Sequence, residues 1–373
     1  MQHDAWVAHE LDRIRSAGRW RATRAFDASG PTGVLDGTPV VSFASNDYLG
    51  LSAHPTLRRA ACDAVERWGT GATSSPLVVG SRPCHEELAE ELCAWKRTGA
   101  AAVFPSGYAA NLGVLSVFGG PDCLIVSDEL NHSSIIDGCR VSRSRVEISR
   151  HNDVEHVEAI LSGASGARAV VVVDAVFSMD GDEAPLAQLG EVCARHGALL
   201  VLDEAHAVLG PATGMLSGIE GLEVLRVVTL SKALGSSGGA VCGPARSIEL
   251  LVNRARTFIF STALSPADAA AAAAAVRLVQ ATEGRELIAR LASLVERVVP
   301  GHPSPIIPMV IGSEADAVAA SARLLERGLL IPAIRPPTVA PGTSRLRVTL
   351  SAAHTDAMVD DLLGALRDLE PAA

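Results

Sequence analysis

Two short apolar runs in the middle of the chain end in side chains that can do chemistry. Residues 227–230 lead to Lys232, and residues 199–202 lead to Asp203 and, three residues further on, to His206. Apolar runs of this length predict buried strands, and open α/β sheets bind ligands beyond the carboxyl ends of their strands. We therefore expect an amine, a carboxylate and an imidazole at one edge of a sheet.

Lys232 is one of two lysines in a chain that otherwise uses arginine for positive charge, the other being Lys96. Most lysines are solvated surface residues, and that interpretation stays open for Lys232 taken alone. A lysine at a buried strand end, however, has a depressed pKa, and the neutral amine is the form that Schiff-base chemistry requires. The strand delivers Lys232 to a glycine-rich stretch at 235–239. We predict that Lys232 forms a Schiff base with a carbonyl cofactor.

Asp203 and His206 suit the ring of such a cofactor. A carboxylate beside a pyridine nitrogen keeps that nitrogen protonated, so that the ring can accept the electrons of a carbanion. His206 could donate a hydrogen bond to a phenolic oxygen on the same ring. The alternatives are an ATPase-type metal motif or a loop with a core histidine, but the chain has no G-x-x-x-x-G-K-[ST] loop.

A phosphate group is bound best by backbone N–H groups at the start of a helix. Residues 105–111 follow the predicted strand 101–104, and Gly107 would let a phosphate approach the backbone. The same segment could be an ordinary β–α turn. His132 begins another predicted helix, where it could stack on a flat cofactor or be an incidental residue at a helix cap.

A third apolar run, residues 170–173, continues through Asp174 to Ser178. The ends of neighbouring parallel strands meet at one edge of a sheet, which brings this segment toward the other two. The lysine, the carboxylate and the phosphate turn together predict one site for pyridoxal 5′-phosphate (PLP).

A sheet whose strands alternate with helices must position these side chains. Continuous apolar strands are typical of a mostly parallel sheet covered by helices on both faces. Amphipathic stretches predict helices at 85–95, 154–161 and 186–196, and Ser265 followed by Pro266 predicts the start of another. The predicted strands are 101–104, 123–126, 146–149, 169–174, 198–203, 226–231 and 239–242. The fold class is therefore α/β.

The pattern of predicted helices and strands changes near residue 284. Beyond it we predict two helices, a strand at 306–311, another helix and a last strand at 346–350, which together form an α+β unit. The first fifty or so residues are too few for a domain of their own and are expected to pack on this unit. The predicted organisation is an N-terminal segment at 1–50, a large PLP-binding domain at 51–284 and a small domain at 285–373.

The composition excludes several classes of partner. The formal net charge of −10 argues against nucleic acid and anionic membranes. No apolar run is long enough to span a bilayer, and residues 1–10 lack the pattern of a signal peptide. The seven cysteines are scattered without a C-x-x-C pair, which favours reduced thiols over disulfides or a metal site. We expect a cytoplasmic enzyme without a metal.

The chain resembles the α-oxoamine synthases of PLP fold type I from about Leu11 to about His354. The segments that carry the resemblance are SNDYLGL at 45–51, SGYAAN at 106–111, DELNH at 128–132, VFSMDGD at 176–182, DEAH at 203–206, TLSK at 229–232 and RLRVTL at 345–350. As a set these motifs are highly specific for the family. The resemblance implies a mostly parallel central sheet and a smaller α+β domain formed by the two terminal segments.

The resemblance also implies a role for each matching residue. Lys232, Asp203 and His132 would be the catalytic set: Lys232 forms the Schiff base, Asp203 pairs with the pyridinium nitrogen and His132 stacks on the ring. The other implied cofactor contacts are Ser178 and His206 at the phenolic oxygen, Gly107, Tyr108 and Thr229 at the phosphate, and Thr262 at the phosphate of the other subunit in a homodimer with shared active sites. The implied substrate contacts are Arg347 at the amino-acid carboxylate, and Arg21, Asn46 and Thr338.

Within the family, the segments 134–140, 258–264 and 334–339 are most similar to the branch that acts in biotin synthesis. That branch implies an acyltransferase that condenses L-alanine with a pimeloyl thioester of CoA or of a carrier protein. One departure concerns a Gly-Ser-Arg segment of the family, where this chain has Ser74, Ser75 and Pro76. A contact made by that arginine is then missing or is made by Arg82.

Three other functions are alternatives to this one. A sister enzyme that joins glycine to acetyl-CoA, or serine to a long acyl-CoA, would use the same site. A catalytically silent partner subunit would have no use for Lys232, Asp203 and His132. A nicotinamide-binding enzyme would need G-x-G-x-x-G after its first strand, and the chain has none there.

Overall fold

The computed structural model describes residues 2–164, 166, 168–209 and 212–369. The chain divides into two compact units, the first formed by residues 1–44, 308–348 and 360–373 and the second by residues 45–307 and 349–359. The strands are β1 (Phe26–Ala28), β2 (Thr32–Leu35), β3 (Thr38–Ser42), β4 (Ala100–Phe104), β5 (Cys123–Asp128), β6 (Arg145–Ser149), β7 (Arg168–Asp174), β8 (Leu199–Asp203), β9 (Glu223–Thr229), β10 (Gly239–Gly243), β11 (Ile306–Gly312), β12 (Leu329–Leu330), β13 (Ala333–Ile334) and β14 (Ser344–Thr349). The helices are α1 (Gln2–Ser16), α2 (Pro55–Trp68), α3 (Pro83–Lys96), α4 (Gly107–Phe118), α5 (Ser133–Ser142), α6 (Val154–Ser162), α7 (Leu186–His196), α8 (Ala212–Met215), α9 (Ala245–Arg254), α10 (Arg256–Ile259), α11 (Pro266–Gln280), α12 (Thr282–Val298), α13 (Glu314–Glu326) and α14 (Asp356–Arg367).

The second unit is built around a sheet of order β4-β10-β9-β8-β7-β5-β6. The neighbours from β9 to β6 run parallel, and β10 runs antiparallel to both β4 and β9. Every strand predicted from the sequence between residues 101 and 242 is present, so the mostly parallel α/β fold is confirmed. The parallel strands place the ends of β7, β8 and β9 at one edge.

Both faces of this sheet are covered, which explains its continuous apolar strands. Val170 and Val172 of β7 pack with α4 and α5 in one core cluster. Val171 and Val173 of the same strand pack with α6 and α7 in another. Alternate side chains of a strand point to opposite faces, and burying each such side chain contributes roughly 1.5–3 kcal/mol.

The alanine-rich helix α11 begins where the sequence predicts. Ser265 caps it by accepting a hydrogen bond from Asp268 N at 3.1 Å, and Pro266 occupies the first turn. Its alanines are almost all buried because α11 packs against both α2 and α3. Small side chains allow this close approach of helices.

The first unit contains a sheet of order β1-β2-β3-β12 and one of order β11-β14-β13. The segment after α1 is attached to α13 by a bidentate ion pair between Arg19 and Glu314, with Nε–Oε2 at 3.0 Å and Nη2–Oε1 at 2.5 Å. Residues 1–44 thus share a unit with residues 308–348.

The ends of these units differ from the predicted domain boundaries at 50 and 284. Residues 285–307 lie in the second unit, and a single helix, α12, replaces the two predicted ones. Gly284 lies inside α12, where a Cβ would come within 2.3 Å of Leu278 O at the end of α11. The change in sequence pattern at Gly284 therefore reflects tight packing between the successive helices α11 and α12. Among the described residues, no helix is long and apolar enough to cross a membrane.

Candidate active site

The loop that carries Lys232 begins earlier than the sequence indicates. Strand β9 ends at Thr229, and the chain then turns through hydrogen bonds from Leu230 N to Gly238 O at 3.0 Å and from Ser236 N to Leu230 O at 2.9 Å. Lys232 is half-buried. The strand predicted to extend to residue 231 therefore stops at Thr229, three residues before Lys232.

Glycine at position 235 lets this loop pack against the start of the unit. Gly235 has φ +59°, and a Cβ there would come within 2.4 Å of Ser52 N. Any larger residue would push the loop away. The Lys232 loop is thus held next to the SNDYLGL segment.

A chain of hydrogen bonds runs from Lys232 into that segment. Lys232 Nζ lies 2.7 Å from His206 Nε2, and His206 Nδ1 lies 2.5 Å from Tyr48 Oη. Tyr48, which is fully buried, donates to Asn46 Oδ1 at 3.1 Å. Since the phenol has one proton, its oxygen accepts from His206 Nδ1–H, and Nε2 is left to accept from the lysine amine.

Asp203 ends β8 and is buried. Its Oδ1 accepts from Ala205 N at 2.9 Å and its Oδ2 from Asn111 Nδ2 at 2.6 Å. Asp174, at the end of β7, lies beside it in register. Burial first, and then the charge of Asp203, raise the pKa of Asp174 well above its usual range. The two adjacent carboxyl groups are therefore unequal, with the proton favoured on Asp174.

His132 caps α5 as the sequence predicts. Its Nδ1 accepts from Ser134 N at 3.3 Å and lies 2.8 Å from Ser134 Oγ, while its backbone N donates to Asp174 Oδ2 at 3.0 Å. Burial lowers the pKa of His132; nearby Asp203 opposes this shift and Lys232 adds to it. The ring is therefore neutral, and it lies within electrostatic range of both residues.

The start of α4 has the form of a phosphate cradle. Ser106 caps the helix by accepting from Ala109 N at 3.0 Å, and a Cβ on Gly107 would lie 3.5 Å from the Thr229 side chain. The first amides of a helix lack partners within it and attract anions. The Tyr108 hydroxyl is exposed and donates to Asp137, so a phosphate contact of Tyr108 falls to its backbone N–H.

Ser178 lies in the turn that follows β7. The turn is closed by hydrogen bonds from Phe177 N to Asp182 O at 3.0 Å and from Gly181 N to Phe177 O at 2.8 Å. A Cβ on Gly181 would come within 2.0 Å of Ile306 O, so the turn needs glycine there. Thr262 is exposed, on the segment after α10.

Three of the predicted substrate residues lie in the first unit. Arg21 Nη2 donates to Pro336 O at 3.4 Å, and Thr338 N donates to Arg335 O at 3.1 Å. Arg347 is buried in β14. Arg82, which could replace the arginine absent at Pro76, is in the second unit and donates to backbone carbonyls between residues 72 and 81.

The sequence reasoning missed Asn111 and Tyr48. Asn111 Nδ2 joins Asp203 to Ser134 Oγ at 2.9 Å, and Tyr48 joins His206 to Asn46. Both residues stand inside the motifs SGYAAN and SNDYLGL, so the signal was present. Only their contacts reveal that Asn111 supports Asp203 and that Tyr48 supports His206.

Comparisons with known proteins show the family of the chain. The family model for class I and II aminotransferases matches residues 38–366. An 8-amino-7-oxononanoate synthase from Anaeromyxobacter dehalogenans is 47% identical, covering 98% of this chain and 97% of its own.

Among solved structures, a serine palmitoyltransferase from Sphingomonas wittichii is 29% identical with a TM-score of 0.90, covering 99% of this chain and 97% of that chain. A structure described as SPT with a PLP internal aldimine is 28% identical with a TM-score of 0.89 and the same coverage. The similarity extends over nearly the whole chain.

Proposed function

The chain belongs to the class I and II aminotransferase family and, within it, to the 8-amino-7-oxononanoate synthases, and we propose from that premise that it condenses L-alanine with a pimeloyl thioester. The products are 8-amino-7-oxononanoate, the free thiol and CO₂, in biotin biosynthesis. The enzyme is a PLP-dependent acyltransferase. The observation that carries the proposal is that the buried carboxylate of Asp203 and the amine of Lys232 both act electrostatically on the imidazole of His132, whose pKa is lowered chiefly by burial.

The residues at this edge of the sheet fit PLP. Lys232 offers an amine for the aldehyde, and Asp203 offers a buried carboxylate for the ring nitrogen. The amides at the start of α4 offer donors for the phosphate, and Gly239 keeps them accessible, since a Cβ there would come within 2.4 Å of Gly107 N. This donor set matches the three polar parts of the cofactor.

When bound, PLP supplies a protonated ring that accepts the electrons of a carbanion at the α-carbon of an amino acid. Lys232 Nζ would remove the proton from the α-carbon of alanine. Its Nζ lies 2.7 Å from His206 Nε2, which can accept a hydrogen bond from the amine and hold it in place. Asn111 fixes the Asp203 carboxylate, so its direction is set before substrate arrives.

Substrate recognition is proposed for four residues, Arg347, Arg21, Asn46 and Thr338. A guanidinium can bind a carboxylate with two parallel hydrogen bonds, which suits Arg347 to the carboxylate of alanine. Arg21, Asn46 and Thr338 would contact the acyl donor, whose own carboxylate needs a cation or a route to water. Arg347→Ala should then raise KM for alanine more than KM for the acyl thioester, and Arg21→Ala should show the reverse bias.

A homodimer is proposed from the surface near Thr262. Leu77, Val78 and Val79 are 53–72% exposed, and Phe260 is 70% exposed. A hydrogen bond from Ala263 N to Ser74 O at 2.9 Å holds these two segments together. An exposed apolar surface of this kind is typical of an interface, and Thr262 would then reach the partner's phosphate. A monomer in sedimentation at assay concentrations would contradict this.

The experiment that tests the function is a thiol-release assay of PLP-loaded protein against pairs of amino acids and acyl-CoAs. We expect alanine with pimeloyl-CoA to give the highest kcat/KM. The likeness to serine palmitoyltransferases makes serine with palmitoyl-CoA the necessary second pair, and glycine with acetyl-CoA the third. Faster release with either of these pairs would replace the proposed substrates by those of a sister enzyme.

A further inference from the structure

His151, on the segment between β6 and α6, lies between two carboxylates. Its Nδ1 is 3.0 Å from Asp128 Oδ1, and its Nε2 is 2.8 Å from Asp182 Oδ2. A carboxylate only accepts hydrogen bonds, so both ring nitrogens must donate and the ring must be an imidazolium. The hydrogen bonds to Asp128 and Asp182 raise the pKa of His151 to about 10. The Phe177 ring packs edge-on against it, with 4.4 Å between the ring centroids.

Asp128 shapes the segment that leads to His132. It is buried at the end of β5, where its Oδ1 also accepts from Leu130 N at 2.8 Å. Its Oδ2 accepts from Asn152 N at 2.8 Å. One carboxylate thus folds the turn before His132 and attaches it to the His151 segment.

Asp182 shapes the turn that presents Ser178. Its backbone oxygen accepts from Phe177 N at 3.0 Å, which closes the turn. Its Oδ2 accepts from Asn152 Nδ2 at 2.8 Å as well as from His151. The turns before His132 and around Ser178 are therefore joined through the pair His151 and Asn152.

We propose that His151 is a positioning residue, which as an imidazolium shared by Asp128 and Asp182 sets the spacing between the segments that present His132 and Ser178 to PLP. The inference rests on the proposed function, in which these two residues contact the cofactor. It adds a residue that touches neither cofactor nor substrate.

The exposure of the cluster separates this role from a purely structural one. The side chains of His151 and Asp182 are 25% and 38% exposed. Asp128 is buried, but it keeps its hydrogen bonds from Leu130 N and Asn152 N when the imidazolium is lost. The His151–Asp182 pair is open to solvent, and such a pair contributes little to stability, about 0–1 kcal/mol. Loss of the imidazolium should therefore weaken PLP binding more than it lowers stability. Water cannot replace the contacts to PLP that are lost when the segments of His132 and Ser178 move.

The test compares PLP affinity with folding stability. We expect His151→Gln to bind PLP roughly tenfold more weakly in equilibrium dialysis, by analogy with partners that orient metal ligands. The melting temperature of PLP-free protein should change little. His151→Arg should recover affinity, because a guanidinium can donate to both carboxylates. His156→Gln is the matched control, since His156 lies on α6 close by and its Nδ1 accepts from Arg150 N at 3.0 Å.

The possible results distinguish a positioning role of His151 from a purely structural one. Unchanged PLP affinity in His151→Gln, with only a lower melting temperature, would overturn the positioning role. If that variant does not fold, Asp182→Asn removes the more exposed carboxylate, and the same loss of affinity is expected. Wild-type protein that binds no PLP would instead refute the proposed function, and this inference with it.

Discussion

The two lysines of the chain are held by neighbouring residues of one segment, yet their surroundings differ. Lys96 is buried, its Nζ lies 2.5 Å from Glu204 Oε2, and it packs over the Trp95 ring at 3.8 Å. Lys232 is half-buried, and its partner two residues further along the segment is the imidazole of His206 at 2.7 Å. One lysine is paired with a buried carboxylate, and the other lies against an imidazole.

The two lysines differ in the chemical nature of their partners, a carboxylate for Lys96 and an imidazole for Lys232. Glu204 also binds Arg226; burial alone would raise the pKa of this carboxyl, but attraction to the two cations outweighs burial and lowers it. The buried carboxylate of Glu204 is therefore favoured in its ionised form. Lys232 instead has a hydrogen bond to the imidazole of His206, and its charge acts on Asp174 and His132. The same residue type therefore forms a buried ion pair at Lys96 and, in the proposed function, supplies the reactive amine at Lys232.

The largest effect is expected from removing the reactive lysine. Lys232→Ala should lower kcat on the order of 10⁴-fold, because the base at the α-carbon is lost. It should also abolish the PLP label that borohydride fixes to the peptide containing Lys232, measured by mass spectrometry. Lys96→Met is the control and should keep the label. A borohydride-fixed label in Lys232→Ala would assign the anchor to another residue.

The next largest effect is on stability, at the other lysine. Glu204→Gln leaves Lys96 and Arg226 buried without a counter-charge, and should lower the free energy of unfolding by about 3–5 kcal/mol in urea titrations. Glu87→Gln is the control, because its ion pair with Arg277 is half exposed and is worth about 0–1 kcal/mol. Similar losses in both variants would show that burial does not distinguish the two regions.

A third variant separates two adjacent carboxyl groups. Asp203→Asn should lower kcat roughly 10²–10³-fold, because an amide cannot stabilise positive charge on the ring nitrogen. Asp174→Asn should have a much smaller effect, since the proton is already favoured on Asp174 and an amide resembles a protonated acid. If Asp174→Asn is the more damaging change, the assignment of the two carboxyl groups must be exchanged.

Much of this could be predicted from the sequence, for identifiable reasons. Strands such as β5 and β7 are buried along most of their length, so their apolar runs are unambiguous. Lys232, Asp203 and His132 follow strands or begin a helix, and a strand end fixes where a side chain lies. The contacts of Tyr48 and Asn111 could not be predicted, because they join segments far apart in the chain.

Contacts between distant segments also decide which lysine is paired with a carboxylate and where strands end, so neither could be predicted from the sequence. Lys96 and Lys232 look alike in the sequence, and only their partners distinguish them. The end of β9 was predicted two residues too late, because the turn at Leu230 depends on a hydrogen bond to Gly238 rather than on residue type. His151 gave no sequence signal beyond being a histidine in a loop.

The smallest effect is expected at His151, whose two ring nitrogens donate to two carboxylates. Its pKa in the folded protein, about 10, lies above its ordinary value of 6.5. Protonation is thus favoured by folding, so the stabilisation is complete below pH 6.5, declines as the pH rises, and is lost above about pH 10. The melting temperature of wild-type protein minus that of His151→Gln should accordingly be small at pH 6 and vanish by pH 10. The corresponding difference for Glu204→Gln should shrink only in acid, because the pKa of Glu204 is lowered rather than raised. The two ion clusters would then lose their stabilisation at opposite ends of the pH range. If the difference in melting temperature between wild type and His151→Gln stays constant to pH 10, the His151 ring is not charged between its carboxylates.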